Sequence, residues 1–159
     1  MSPRKFRHLL NFWPPFFFAR IVVTDVADDW RWLRVELRQH RWNSNYVGTH
    51  FGGSLFAMTD PMWMLLLMQL LGKDYFVWDK AGEIEFVKPG KGTLHAEFRV
   101  QESDLAEIRA ATEAGGKYLH WFPVEVIDAQ GEVVARVRKQ IYVRKKPQAR
   151  PDENAGVNS

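Results

Sequence analysis

The chain of 159 residues contains no cysteine. That absence removes disulfides, thiolate nucleophiles and thiolate metal sites together, and it fits a reducing, cytoplasmic setting. The five histidines are scattered, without the His-Glu spacing of a zinc site, so neither a metal nor another cofactor is expected. The glycine-rich run Gly48 to Ser54 lacks the Gly-Lys-Ser/Thr ending of a nucleotide loop and the spacing of a dinucleotide fold. No Gly-x-Ser-x-Gly elbow surrounds Ser54. The basic segment Arg136 to Lys146 lacks the paired aromatic motifs that stack bases, so nucleic acid is not an expected partner.

Long apolar runs are also missing. The longest, Met62 to Leu71, falls short of the roughly 20 residues that cross a bilayer, so no membrane span is expected. Arg4, Lys5 and Arg7 ahead of Leu9, Leu10, Phe12 and Trp13 have the outline of a signal peptide. Asn11, Pro14 and Pro15 interrupt it, and no small-x-small cleavage site follows. The chain reads as soluble, with at most a peripheral membrane contact through its first helix.

What is present is ample core material. Hydrophobic residues make up 46% of the chain, with seven Trp and eleven Phe, enough apolar area to offset ordering entropy in a single domain. The net charge of +3 suits an anionic small molecule as well as a nucleic acid or a membrane surface.

Periodicity orders the elements. Phe6, Leu9, Leu10 and Trp13 recur at helical spacing up to the stop at Pro14-Pro15. Ala19 to Val26 and Trp30 to Gln39 read as strands, with Leu33, Val35 and Leu37 alternating against charged neighbours. Ser54 to Leu71 is apolar almost all round, which predicts a helix buried on every face, ended by Gly72. Strand alternation returns at Ile84-Phe86 and Leu94 to Val100, on either side of a turn at Lys88 to Gly92. Asp104 and Glu107 look like a capping box opening a short helix that Gly115-Gly116 ends. Tyr118 to Ile127 and Val133 to Val143 form a final hairpin about Asp128 to Gly131, with Pro123 pointing to an edge or bulge.

This order predicts an α+β fold, an antiparallel sheet wrapped around one long buried helix. It divides into an N-terminal helix and Pro-rich turn over residues 1–18, a main domain over 19–146 and a polar tail over 147–159. A single curled sheet leaves an edge exposed, so self-association as a dimer or tetramer is expected.

The stretch from Asn45 to Asp60, with Gly48, His50, Phe51, Gly52, Gly53, Thr59 and Asp60, resembles the central motif of hotdog-fold thioesterases of the phenylacetate-pathway type. Those carry Asn, then Gly, His-Gly-Gly, and Asp seven residues after the second Gly. The span from Pro14 to about Lys146, with Lys88-Pro89-Gly90 and Tyr142-Val143-Arg144, resembles an uncharacterised branch of that superfamily. The resemblance implies a hotdog fold, a dimer with sites shared between subunits, and acyl-CoA or another acyl thioester as substrate. Phe51 stands where the motif has His, and His50 lies one residue earlier.

Thioester hydrolysis needs a base and donors for the developing oxyanion. A desolvated Asp60 can be the general base or nucleophile, the amides of Gly52 and Gly53 the donors, and Asn45 a holder of water or carbonyl. Thr59 can orient the carboxylate; His50, Phe51, Trp63 and Lys88 are further candidates beside the substrate. Lys88, Lys91, Arg136, Arg138 and Lys139 can meet coenzyme A phosphates, although Lys139 falls on the opposite strand face from the two arginines. Asp60-Pro61 has a competing reading. Asp60 can simply N-cap a helix starting at Pro61, or Pro61 can kink a longer helix that begins near Gly53.

Overall fold

The computed structural model describes residues 1–149, so the polar tail from residue 150 lies outside the described residues. Helix α1 spans Pro3–Phe12. Pro14-Pro15 ends it as expected, but Pro14 then opens a second short helix, α2 (Pro14–Ala19), instead of a turn. The first turn of a helix has no use for the N–H that proline lacks. Arg20, in the left-handed region at φ 59°, stops α2.

The remaining elements follow the expected order: β1 (Ile21–Val26), β2 (Trp32–Arg38), α3 (Gly52–Ala57), α4 (Met62–Leu71), β3 (Tyr75–Phe86), β4 (Thr93–Arg99), α5 (Glu102–Thr112), β5 (Lys117–Ile127) and β6 (Val133–Lys145). The strands make one antiparallel sheet in the order β1-β2-β4-β5-β6-β3. Helix α5 begins earlier than expected. Asp104 sits in its first turn, accepting the Gln101 amide at 2.8 Å, so the box pairs residues 101 and 104 and not 104 and 107. Pro123 falls in a stretch of β5 that pairs only with β6, since β4 meets β5 only at His95↔Ile127 and Ala96↔Val126. An interior strand thus tolerates proline because it is an edge locally.

Alternation builds the core. Leu33, Val35 and Leu37 of β2 pair with Phe98, Ala96 and Leu94 of β4, and all six are fully buried. Against that face lie Met58 and, from α4, Met62, Trp63, Leu66 and Leu67. Each large side chain so buried contributes about 1.5–3 kcal/mol. This is the sheet-around-helix architecture of the hotdog fold. The helix itself departs from expectation in two ways. It breaks over residues 58–61, and α4 leaves a stripe partly open, with Met68 44% exposed.

The two sheet edges are treated differently. Asn11 of α1 accepts the Val23 amide at 2.7 Å and donates to the Val23 carbonyl at 3.1 Å, while Arg7 donates to the Thr24 carbonyl. The free edge of β1 is therefore covered by helix side chains. At the other end β3 has no strand beyond it among the described residues, and of its 12 residues only Val77 is buried.

Candidate active site at the helix break

Proline governs the geometry around Asp60. Pro61 has no N–H to give to Ala57, so the helix cannot run through unbroken. Residues 58–61 form tight turns, closed by Thr59 N–Phe56 O at 3.0 Å and Asp60 N–Ala57 O at 3.3 Å. Helix α4 restarts with Pro61 as its N-cap and no side-chain cap. Asp60 therefore does not cap the helix. The interrupted-helix alternative is the one the chain adopts.

The Asp60 carboxylate instead accepts a hydrogen bond from Lys139 Nζ at 2.5 Å. The Lys139 side chain is only 4% exposed, whereas that of Asp60 is 50% exposed. A buried ammonium thus holds the inner side of a carboxylate whose outer side faces solvent. Asp79 completes the group, its Oδ1 lying 3.7 Å from the same nitrogen. That oxygen is buried without a hydrogen-bond partner. Burial raises the Asp79 pKa to about 6, against the opposing pull of Lys139 and with a smaller push from the Asp60 charge.

A bulge in β3 makes the group possible. The register against β6 shifts between Asp79 and Ala81, leaving Lys80 as the extra residue. Before the bulge Val77 and Asp79 turn inward; after it Gly82, paired with Lys139, takes the inward position. Gly82 has to be glycine on grounds of space. A Cβ there would lie 2.6 Å from the Phe56 ring and 3.2 Å from the Lys139 stem. The Phe56 ring itself sits 5.0 Å from the Lys139 ammonium.

The other expected site residues are placed as follows. Gly52 and Gly53 start α3, which has no side-chain cap, so its first amides stay unclaimed by the protein's side chains. The Phe51 ring lies over Gly53 and the Phe86 ring over Gly52, both largely exposed. Asn45 is spent on its own loop: its Oδ1 accepts the Val47 and Thr49 amides, and its Nδ2 donates to Thr49 Oγ1 and the His50 carbonyl. His50 is buried, with Nε2 2.7 Å from the Gly92 carbonyl. A carbonyl only accepts, so Nε2 carries the proton. Burial lowers the His50 pKa, more than the Gly92 contact raises it. Its Nδ1 has no partner.

Thr59 is fully buried and donates to the Phe56 carbonyl at 2.8 Å, so its hydroxyl serves the helix break and not the Asp60 carboxylate. Trp63 stacks on Phe122 and meets Phe98 edge-on in the core. Lys88 is held by Asp128 at 2.7 Å and by Glu132, across the far hairpin. Arg136 pairs with Glu85 and Glu125, and Arg138 with Glu83, on the outer face of the sheet. Lys139 points inward, as its strand parity requires, away from the sheet face that carries the two arginines. Neither Lys139 nor Asp79 was marked by sequence as a partner of Asp60. The signal for Lys139 was there: it occupies the inward register of β6 among Val137, Ile141 and Val143, where a cation needs a buried acid.

Among the described residues no cluster of three or more His, Asp or Glu is suited to a metal ion. By length and composition the stretch Gly52–Leu71 could cross a membrane, but half of it is buried in the fold and it is broken at Pro61.

A family model described as a domain of unknown function (DUF4442) matches residues 3–143. No curated protein matches the chain. Solved structures share its fold. A Pseudomonas aeruginosa protein of unknown function, described as a probable thioesterase, is 20% identical with a TM-score of 0.79, covering 91% of this chain and 97% of its own. A thioesterase from Haemophilus influenzae is 10% identical with a TM-score of 0.67, covering 91% and 92%. The PaaI protein from the phenylacetic acid degradation operon of E. coli is 17% identical with a TM-score of 0.62, covering 87% and 90%.

Proposed function

The chain belongs to the DUF4442 family, and on that premise we propose that it hydrolyses acyl thioesters, with acyl-CoA the substrate class and Asp60 the general base or nucleophile. The observation that carries this reading is the half-exposed Asp60 carboxylate, pinned by a buried lysine at a helix break, on the same segment as an uncapped glycine pair. The fold shared with the Haemophilus influenzae thioesterase supports it.

With Asp60 as base, its carboxylate takes a proton from water as the water oxygen attacks the thioester carbonyl carbon. The carbonyl oxygen becomes an oxyanion and accepts the Gly53 amide hydrogen, with Gly52 beside it. Collapse breaks the C–S bond, and the leaving thiolate takes the proton that Asp60 had accepted, giving a carboxylic acid and a free thiol and restoring the carboxylate. Asp60 lies seven residues beyond Gly53, about 10 Å at helical rise, too far for both to serve one carbonyl in one chain. Each site therefore pairs Gly53 of one copy with Asp60 of another, in a dimer or a tetramer. The open edge of β3 and the exposed Met68 at the far end of α4 are the surfaces suited to that assembly. Phe51 lies beside the acyl group, His50 and Asn45 hold the loop that carries the glycines, and Thr59 and Trp63 support the break from within.

One observation favours a second reading, a hotdog protein that binds an acyl thioester without cleaving it: an oxygen of Asp60 is already engaged by Lys139. Steady-state hydrolysis of acyl-CoA thioesters of increasing chain length separates the two. The enzyme reading expects turnover on at least one chain length. No turnover on any, with measurable binding, would replace it by the second.

A further inference from the structure

We infer that the N-terminal helices form a docking surface for an anionic membrane, on which the protein lies without crossing it. Helix α1 is fastened to the body by one face, through Phe6 and Leu10 in the core and the Asn11 and Arg7 bonds to β1. That fastening accounts for one apolar stripe only. A second, carrying Leu9 and Phe12, points outward beside Lys5, one to two turns along the same helix. The surface continues onto α2, where Phe12 stacks on Phe17 and Phe17 meets Phe18, itself 71% exposed.

Two open grooves meet at Phe12. One, of about 1150 Å³, runs between α1 and α4 to Pro61, the neighbour of Asp60. The other passes Phe18, Arg20 and Trp42. A set of exposed aromatics this close together is rare on a surface that meets only water.

Charge names the occupant. The first acidic residue in the chain is Asp25, so the exposed Arg4 and Lys5 have no carboxylate among their sequence neighbours. Arg4 and Lys5 form no ion pair among the described residues, unlike the laddered arginines of the sheet. A cationic rim around protruding Phe, Trp and Leu matches the interface of an anionic bilayer, where aromatic rings sit at headgroup level and basic side chains meet the phosphates. A second copy of the chain fits less well, because a two-fold contact here would bring identical cations together.

Co-sedimentation of the 159-residue chain with vesicles tests this without any turnover assay, so it stands or falls apart from the hydrolase reading. The wild type is expected to bind vesicles containing about 30 mol % phosphatidylserine more strongly than neutral phosphatidylcholine vesicles, and to release them at high salt. At about fivefold per basic residue, Arg4→Glu with Lys5→Glu should weaken binding at least about 25-fold. Phe12→Asp with Phe18→Asp should weaken it about tenfold or more. All four positions are exposed, and circular dichroism checks that the variants fold. Absence of wild-type binding, or binding by both variants as strong as wild type, would overturn the inference. So would sedimentation velocity showing that Phe12→Asp with Phe18→Asp dissociates a wild-type oligomer, which would give the face to a second copy.

Discussion

Asp60→Asn should lower kcat on the best acyl-CoA substrate by about 10²–10⁴-fold, the range a positioned general base supplies. KM should move little, because the substituted atom acts on water and the reacting carbon and not on the rest of the substrate. Asparagine keeps the shape and can still accept the Lys139 hydrogen bond that holds Asp60 at 2.5 Å, so the helix break should survive. Thermal melts of the variant should therefore stay close to wild type. Unchanged turnover in a folded Asp60→Asn protein would reduce the carboxylate to a partner for Lys139 and nothing more.

The second large effect concerns stability. Lys139→Met removes the one buried cation between Asp60 and Asp79, replacing it with an apolar chain of similar length. Asp60 can turn to water, since half of its side chain is already exposed, but Asp79 is 22% exposed and cannot. Leaving a buried charge uncompensated costs about 3–5 kcal/mol. The sign with pH follows from the Asp79 pKa, raised from an ordinary value of 3.8 to about 6 in the folded wild type. Between those values the folded state holds a proton that the unfolded state has lost, so stability from this group falls as pH rises through the window and stays low above it. Without Lys139 the folded pKa climbs further. Lys139→Met should thus be most destabilised near pH 8, and should recover on acidification below 6. Adding Asp79→Asn should recover much of the loss at pH 8, which chemical denaturation of the single and double variants measures. A Lys139→Met protein as stable as wild type at pH 8 would contradict the buried-counterion role.

These two side chains also mark where the sequence stopped being legible. The order of elements could be read because periodicity is local: β2 and β4 declare their inward faces by alternation, and the final hairpin declares its turn. The helical nature of Pro14–Ala19 was hidden because Pro14 signals both an end and a beginning. The cluster around Asp60 was hidden for a different reason. Asp79 faces inward only relative to a bulge at Lys80, and nothing in the local pattern announces a one-residue shift of register. Gly82 is explained only by the Phe56 ring pressed against it. Such facts belong to packing between segments far apart in the chain. Asp60 and the glycine pair were visible through the motif they resemble, whereas the tasks of His50, Asn45 and Lys88 depended on partners that only the fold reveals.

The proposed site is built from Gly53 of one copy and Asp60 of another and acts on an acyl thioester. Turnover by mixed oligomers tests it most directly. Gly53→Pro deletes the oxyanion donor at a helix start, where the lost N–H is not needed by the helix; its Cβ also pushes aside the exposed Phe51 ring, and the variant alone should cost at least about 10²–10³-fold in kcat. Asp60→Asn alone should also be nearly inactive. Co-expressed and purified as a random mixture, the two variants form heterodimers in which one of two sites has both groups intact. The expected result is about one quarter of wild-type turnover per chain, far above either variant alone. A mixture no more active than its components, although the chains demonstrably exchange, would contradict the shared site.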